Sequence, residues 1–235
     1  DVINKNVTEE DLLRCAKIAF ENGYSRIKLY FMIGLPTETQ EDLQELADLA
    51  HKVADVYYAM DKKMRAPGLN IVVSTSTFVP KPDTPFQWCA QVTQEQILEK
   101  QQFLRQALRR RGISYSWHES KCSQLEACFA VGDGRMADVL ERAFMRGCRF
   151  DGWDEHFKYD TWMQAFDDCG LRVEDIANRA KDEDAPLCWD HIDCGVTREY
   201  MRREWEKAKE GKTTRDCRKG CNACGADCFK AGGCV

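Results

Sequence analysis

The sequence predicts an α/β chain with parallel strands, on three observations. Helical and strand-like segments alternate through the first half, the strand-like run Ile27 to Ile33 is largely apolar, and it ends directly in the turn Gly34-Leu35-Pro36. Alternation of this kind is the mark of consecutive βα units, and a largely apolar strand is one covered on both faces.

Thr8-Glu9-Glu10-Asp11 has the spacing of a helix N-cap, and Leu12, Cys15, Ala16, Ala19 and Phe20 recur at helical intervals until Gly23 stops the run. After the first strand, Thr39 with Asp42 three residues on opens a second helix, carrying Leu43, Leu46, Ala47, Ala50, Val53, Ala54 and Tyr57 on one stripe. Pro67-Gly68 turns the chain into Asn70 to Phe78, rich in β-branched residues. Thr93 then starts a helix with Ile97, Leu104 and Leu108. From Ile113 the pattern becomes one short strand, to Trp117, followed by helical segments near 120–130, 135–146, 154–168, 173–180 and 197–209. These carry many aromatic residues, enough to pack a small core. The expected division is an α/β part over 1–112, a mainly helical domain over 113–211 and a cysteine-rich tail over 212–235.

The composition sets the class of protein. A chain of 235 residues that is 43% hydrophobic buries an ordinary core. No run of about 18 apolar residues occurs, and the opening Asp1-Val2-Ile3-Asn4-Lys5-Asn6 is polar, so neither a membrane span nor a secretory signal is read and a cytoplasmic protein is expected. Thirteen cysteines without an export signal point to free thiols and metal binding rather than to disulfides. The net charge of -5 supplies no general attraction for nucleic acid; Arg109-Arg110-Arg111 and the basic residues of the last thirty positions read as solvated surface. Beginning at Asp1, just ahead of a helix signal, the chain reads as a fragment of something longer.

Two turns carry chemistry. Phe31-Met32-Ile33-Gly34-Leu35-Pro36-Thr37-Glu38-Thr39 closes a strand and opens a helix, and the carboxyl end of a parallel strand is where ligands bind. Gly34 permits close approach to the backbone, Pro36 fixes the turn, and the first helical turn presents free N–H groups. A turn with a purely structural role would read the same. The second strand ends in Val79-Pro80-Lys81-Pro82-Asp83-Thr84-Pro85-Phe86-Gln87-Trp88, whose prolines make a stiff extended loop with few backbone donors.

Together these two strand ends look like the fifth and sixth strands of a radical S-adenosylmethionine barrel. The chain most resembles the C-terminal part of an uncharacterised bacterial family that joins a cobalamin-binding domain to the radical domain. It is more distantly similar to the tRNA and ribosomal methylthiotransferases. Asp1 to Thr8, Tyr115-Ser116-Trp117-His118, Phe150-Asp151-Gly152-Trp153-Asp154-Glu155-His156-Phe157 and Trp189-Asp190-His191-Ile192-Asp193 resemble the same family. The resemblance implies the C-terminal part of a partial (βα)6 TIM-like barrel. It also implies that Gly34, Pro36 and Glu38 lie beside bound S-adenosylmethionine and that Lys81 faces the barrel mouth. Cobalamin would enter through a domain this chain lacks, and the missing N-terminal part of the same protein is the implied partner. The substrate, RNA or protein, is not implied.

The tail holds Cys217, Cys221, Cys224, Cys228 and Cys234, with glycines that let the chain wrap an ion or cluster. The first three have the CxxxCxxC spacing by which radical enzymes hold a [4Fe-4S] cluster, but that motif follows the first barrel strand, and Thr213-Thr214-Arg215-Asp216 is no strand. Three readings stay open: an auxiliary iron-sulfur cluster, a structural zinc, or idle thiols. The first has Cys217, Cys221, Cys224 and Cys228 as ligands and Cys234 as a spare. Cys15, Cys89, Cys122, Cys128, Cys148 and Cys169 read as small buried hydrophobes. His118, His156 and His191 read as structural histidines before proton carriers. The function expected is part of a radical S-adenosylmethionine enzyme, incompetent alone. The alternative is a non-catalytic zinc module, with RNA as its ligand.

Overall fold

The computed structural model describes residues 2–5 and 7–226. The chain divides into two compact units: residues 5–78 with 94–120, and residues 1–4 with 79–93 and 121–235.

The first unit is α/β. Helix α1 (Glu9–Glu21) starts at Thr8, whose hydroxyl accepts the Asp11 N–H at 3.1 Å while the Asp11 carboxylate takes the Thr8 N–H, the reciprocal cap the spacing foretold. Strand β1 (Arg26–Ile33) leads to helix α2 (Gln40–Ala59), capped in the same way by Thr39 and Asp42. Strand β2 (Asn70–Thr77), helix α3 (Gln94–Ala107) and strand β3 (Ile113–Trp117) complete it. The strands form one three-stranded sheet in the order β1-β2-β3, parallel throughout, with Tyr30 opposite Ser74 and Ser74 opposite Ser116.

Period-two alternation sorts the sheet into two faces. Leu29 and Ile33 of β1, with Ile71, Val73, Thr75 and Thr77 of β2, are buried on one face. Helix α2 packs on β1 and β2, α3 packs on β3, and the two helices touch each other, so both cover that same face. The other face is less covered: Lys28, Tyr30, Met32, Ser114 and Ser116 are exposed. Covering on both faces, expected from the apolar run of β1, is therefore corrected; its alternation is exposed, partly buried, exposed, buried.

Three further expectations change. The sheet, an open one, has three strands, one more than the two barrel strands the resemblance implied. Ile113–Trp117, assigned from sequence to the helical domain, belongs to the sheet, and residues 79–93, assigned to the α/β part, belong to the helical unit. The helix expected over 154–168 starts only at Tyr159, because 150–157 is a run of turns.

The second unit is helical: α4 (Ser120–Val131, which starts at the unit boundary), α5 (Met136–Met145), α6 (Tyr159–Asp168), α7 (Val173–Ala177) and α8 (Arg198–Lys209). One core gathers Cys128, Val139, Ala143, Trp162, Ala165 and Phe166. A second is built on Trp88, Val131, Leu187, Trp189 and Met201. The proline-rich loop is fastened to this second core by Gln87, which is 3% exposed; its side-chain oxygen accepts the Trp189 indole N–H at 2.7 Å and the Asp83 N–H at 3.2 Å.

Candidate functional site

The turn from β1 to α2 is the more fully built of the two sequence-predicted sites. Gly34 takes φ 77° and Thr37 φ 68°, so the chain folds back tightly enough for the Glu38 N–H to reach the Leu35 carbonyl at 3.1 Å. Glycine enters the left-handed region freely; threonine does so only under strain, and strained backbone gathers at ligand sites. The Glu38 carboxylate closes the turn. One oxygen accepts the Gly34 N–H at 2.9 Å, and the other lies 2.7 Å from the Lys100 ammonium of α3, a contact short enough for an ion pair but off hydrogen-bond alignment. The Glu38 side chain is 6% exposed, so its charge is turned inward, onto the fold. Glu38 is thus a positioning residue of the turn in this structure.

Beside it, β2 ends in register: Ile33 faces Thr77, and the Phe78 N–H donates to the Ile33 carbonyl at 2.8 Å. Gly34 and the segment that begins at Phe78 therefore leave the sheet at the same end. The Thr77 hydroxyl at that end is buried without a hydrogen-bond partner. Such an atom is costly to bury unpaired, and it lies on the face that α2 and α3 cover. The opposite, less covered face is lined by small hydroxyls, Ser74, Ser76, Ser114 and Ser116. Sequence reasoning missed these serines, although their spacing at every second residue was the available signal. It missed Lys100 entirely.

Lys81 belongs to the helical unit. There its ammonium pairs with Glu126 of α4, both side chains about half exposed, an ordinary surface ion pair. Pro36 is partly buried beside Gly34.

The tail folds against the start of α8. Cys217 opens a short 3-10 turn capped by Asp216, whose carboxyl the Arg218 guanidinium holds down at about 2. The Ala223 N–H donates to the Cys221 sulfur at 3.3 Å, with Ala223 at φ 53° and Gly225 at φ 94°. The Cys224 carbonyl accepts the Thr197 N–H at 2.8 Å, and the Arg203 guanidinium holds the Asn222 carbonyl at 2.8 Å. Burial first, then the Glu204 carboxylate, push the Tyr200 phenol up. Among the described residues no three histidine, cysteine or acidic side chains are gathered closely enough to hold a metal. Cys228 and Cys234 lie outside the described residues.

Cys89 and Cys128 are buried, and burial pushes both thiols up to about 12, as inert core residues should be. Cys148 is buried too, whereas Cys15 is exposed, against the expectation from its helical spacing. His118, His156 and His191 are all exposed, and the His191 ring Nδ1 lies 3.0 Å from the Cys188 carbonyl. No helix among the described residues is long and apolar enough to cross a membrane.

An uncharacterised protein of Methanocaldococcus jannaschii is similar to this chain, 26% identical over 173 residues, which are 73% of this chain and 36% of that protein. The chain therefore spans about a third of that relative's length. No family model matches, and no solved structure matches.

Proposed function

We propose that the chain is the C-terminal part of a radical S-adenosylmethionine enzyme, its sheet an arc of the (βα) barrel that holds the cofactor. The observation that carries this reading is the strand order. Parallel strands running β1-β2-β3 in sequence, with both crossover helices on one face, are what right-handed βα units produce when they progress around a barrel; a doubly wound sheet reverses direction and puts helices on both faces. The serine-lined face would then be part of the barrel interior, and Gly34 would sit at its carboxyl end, where barrel enzymes bind ligands.

The residues present fit such a ligand. Gly34 carries no side chain to block approach, and Glu38 with Lys100 fixes the turn. When bound to a [4Fe-4S] cluster, S-adenosylmethionine supplies a 5'-deoxyadenosyl radical; cobalamin in the missing domain would carry methyl groups. In this chain Gly34 and Pro36 shape the cradle, Glu38 orients its backbone, and Lys81 is a surface residue of the loop that follows β2. The remaining strands, the radical cluster and the unknown RNA or protein substrate belong to the rest of the polypeptide, in the cytoplasm.

The tail we read as a thiolate site for an auxiliary iron-sulfur cluster or zinc, through Cys217, Cys221, Cys224 and Cys228 with Cys234 in reserve. The Ala223 N–H on the Cys221 sulfur supports it. The alternative of a zinc module for RNA draws less support, since the cations around the tail are largely committed: Arg202 to Asp184, Lys207 to Glu204, Lys209 to Glu206, Lys212 to Glu210 and Arg218 to Asp216.

The test is anaerobic turnover with dithionite. This chain, reconstituted with iron and sulfide, is expected to give no 5'-deoxyadenosine, because positioning across several barrel strands is what converts binding into cleavage. A longer polypeptide that adds the preceding strands is expected to give it, and Gly34→Val in that polypeptide to abolish it. No product from the longer protein would remove the enzyme reading. Product from this chain alone, lost in Cys221→Ala, would place the radical cluster in the tail.

A further inference from the structure

The turn Phe150-Asp151-Gly152-Trp153-Asp154-Glu155-His156-Phe157, between α5 and α6, takes no part in either site above. Its rings face outward: Phe150 is 68% and Trp153 59% exposed. They meet edge to face, centroids 6.1 Å apart at 80°, with the His156 ring 6.0 Å from Phe150. Phe150 also sits at φ 58°, a left-handed conformation that a residue with a Cβ ring rarely adopts.

The turn is held firmly in this shape. The Trp162 indole N–H donates to the Asp151 carboxylate at 3.0 Å, and the N–H groups of Trp153 and His156 close onto the carbonyls of Phe150 and Trp153 at 3.0 and 2.9 Å. A core pulling the rings inward would explain a strained backbone, but these rings are outside. The left-handed residue is thus one whose ring stays in solvent.

Charge says what they are presented to. Among the described residues, the carboxylates of Asp154 and Glu155 have no ion-pair or hydrogen-bond partner. The adjoining cations are spent: Arg149 on the Cys148 carbonyl at 2.7 Å and over the Phe144 ring, Lys158 on the Gly147 carbonyl at 3.1 Å, and Arg146 on Asp168 at 2.7 Å. Exposed rings in the same short turn as uncommitted carboxylates suit a guanidinium, which stacks on the one and forks onto the other. The same carboxylates repel a phosphate backbone, which argues against RNA on this surface.

We propose that this turn is a docking site for an arginine-bearing polypeptide segment, with a guanidinium stacked on Phe150 and Trp153 and paired to Asp154 or Glu155.

The experiment titrates the whole chain into a fluorescein-labelled peptide of four Arg-Gly repeats and reads anisotropy, with a Lys-Gly peptide, a Ser-Gly peptide and a single-stranded oligouridine in parallel. Expected are saturable binding of the arginine peptide, weaker binding of the lysine peptide and none of the other two. Trp153→Ala should weaken it at least tenfold, and the pair Asp154→Asn with Glu155→Gln should weaken it and flatten its salt dependence. Phe150→Gly separates recognition from folding: it should lose binding at least tenfold while keeping or raising the melting temperature, since glycine accepts that φ. No binding by the wild-type chain, equal binding by the variants, tighter binding of oligouridine, or a Phe150→Gly chain that melts lower and still binds would each overturn the proposal.

Discussion

Glu38 and Lys100 meet across the first unit with 2.7 Å between carboxylate and ammonium, and this contact ties the turn after β1 to helix α3. The carboxylate is 6% and the ammonium side chain 20% exposed. Removing one partner from a pair so enclosed strands the other charge. Lys100→Met is expected to cost about 2 kcal/mol in urea unfolding, and the double change Glu38→Met with Lys100→Met clearly less than the sum of the two singles. Additive losses would mean that the two side chains do not act as a pair.

Thr37 is expected to be a net burden on stability. Its φ of 68° costs a β-branched residue about 1–2 kcal/mol, more than glycine loses through its freer unfolded chain. Thr37→Gly should therefore leave the melting temperature unchanged or raise it, where the same replacement in a helix would lower it. A drop of several degrees would show that the threonine side chain has a partner it needs.

Thiol reactivity should divide the cysteines by burial. With iodoacetamide near pH 8, Cys15, Cys188, Cys194, Cys217 and Cys221 are expected to alkylate, and Cys89 and Cys128 to stay unlabelled until the chain unfolds. A thiol pushed up to about 12 is ionised in only about one molecule in ten thousand at that pH. Added zinc should protect Cys217 and Cys221; equal labelling with and without metal would count against the tail site. Peptide mass mapping reads all of this.

Asp216 supplies a pH dependence with a definite sign. Its folded value of about 2 lies below the ordinary 3.8, held down chiefly by hydrogen bonds from Arg218. A depressed carboxyl contributes stability that is present above the ordinary value and lost as pH falls through the folded one. The side chain is at the surface, so the effect is small and is best read by carboxyl NMR: Arg218→Ala should return the Asp216 midpoint toward 3.8. Unchanged titration in that variant would assign the depression to something other than Arg218.

Much of the fold was legible because its signals are local. The capping pairs Thr8–Asp11 and Thr39–Asp42 work within one helical turn, and both helices begin where those residues put them. Strand β3 was placed with the wrong part because five residues, Ile113–Trp117, carry too little pattern to say which neighbour they pair with; Ser114 and Ser116 disclose their sheet only once Val72 and Ser74 stand beside them. Phe157 and Trp153 look helical by spacing, yet the left-handed Phe150 and its turn delay α6 to Tyr159.

The candidate sites were legible to the same degree. Gly34 and Glu38 announce a tight turn in any context, whereas Lys100 becomes their neighbour only when α3 is laid on the sheet. Lys81 carries no hint in its surroundings of Glu126, and the docking of Cys224 on Thr197 is a contact between segments that the pattern of cysteines does not specify.

The chain crosses between its units repeatedly: residues 79–93 leave the α/β unit after β2 for the helical one, and the chain returns for α3 and β3 before leaving for good. No single cut separates the two, so a polypeptide ending at residue 112 would lack β3 and leave 79–93 with nothing to pack on. During synthesis the same segment must wait, extended beyond a half-built sheet, until α7 and the Leu187–Trp189 stretch emerge to receive it. That interval is where misassembly would begin.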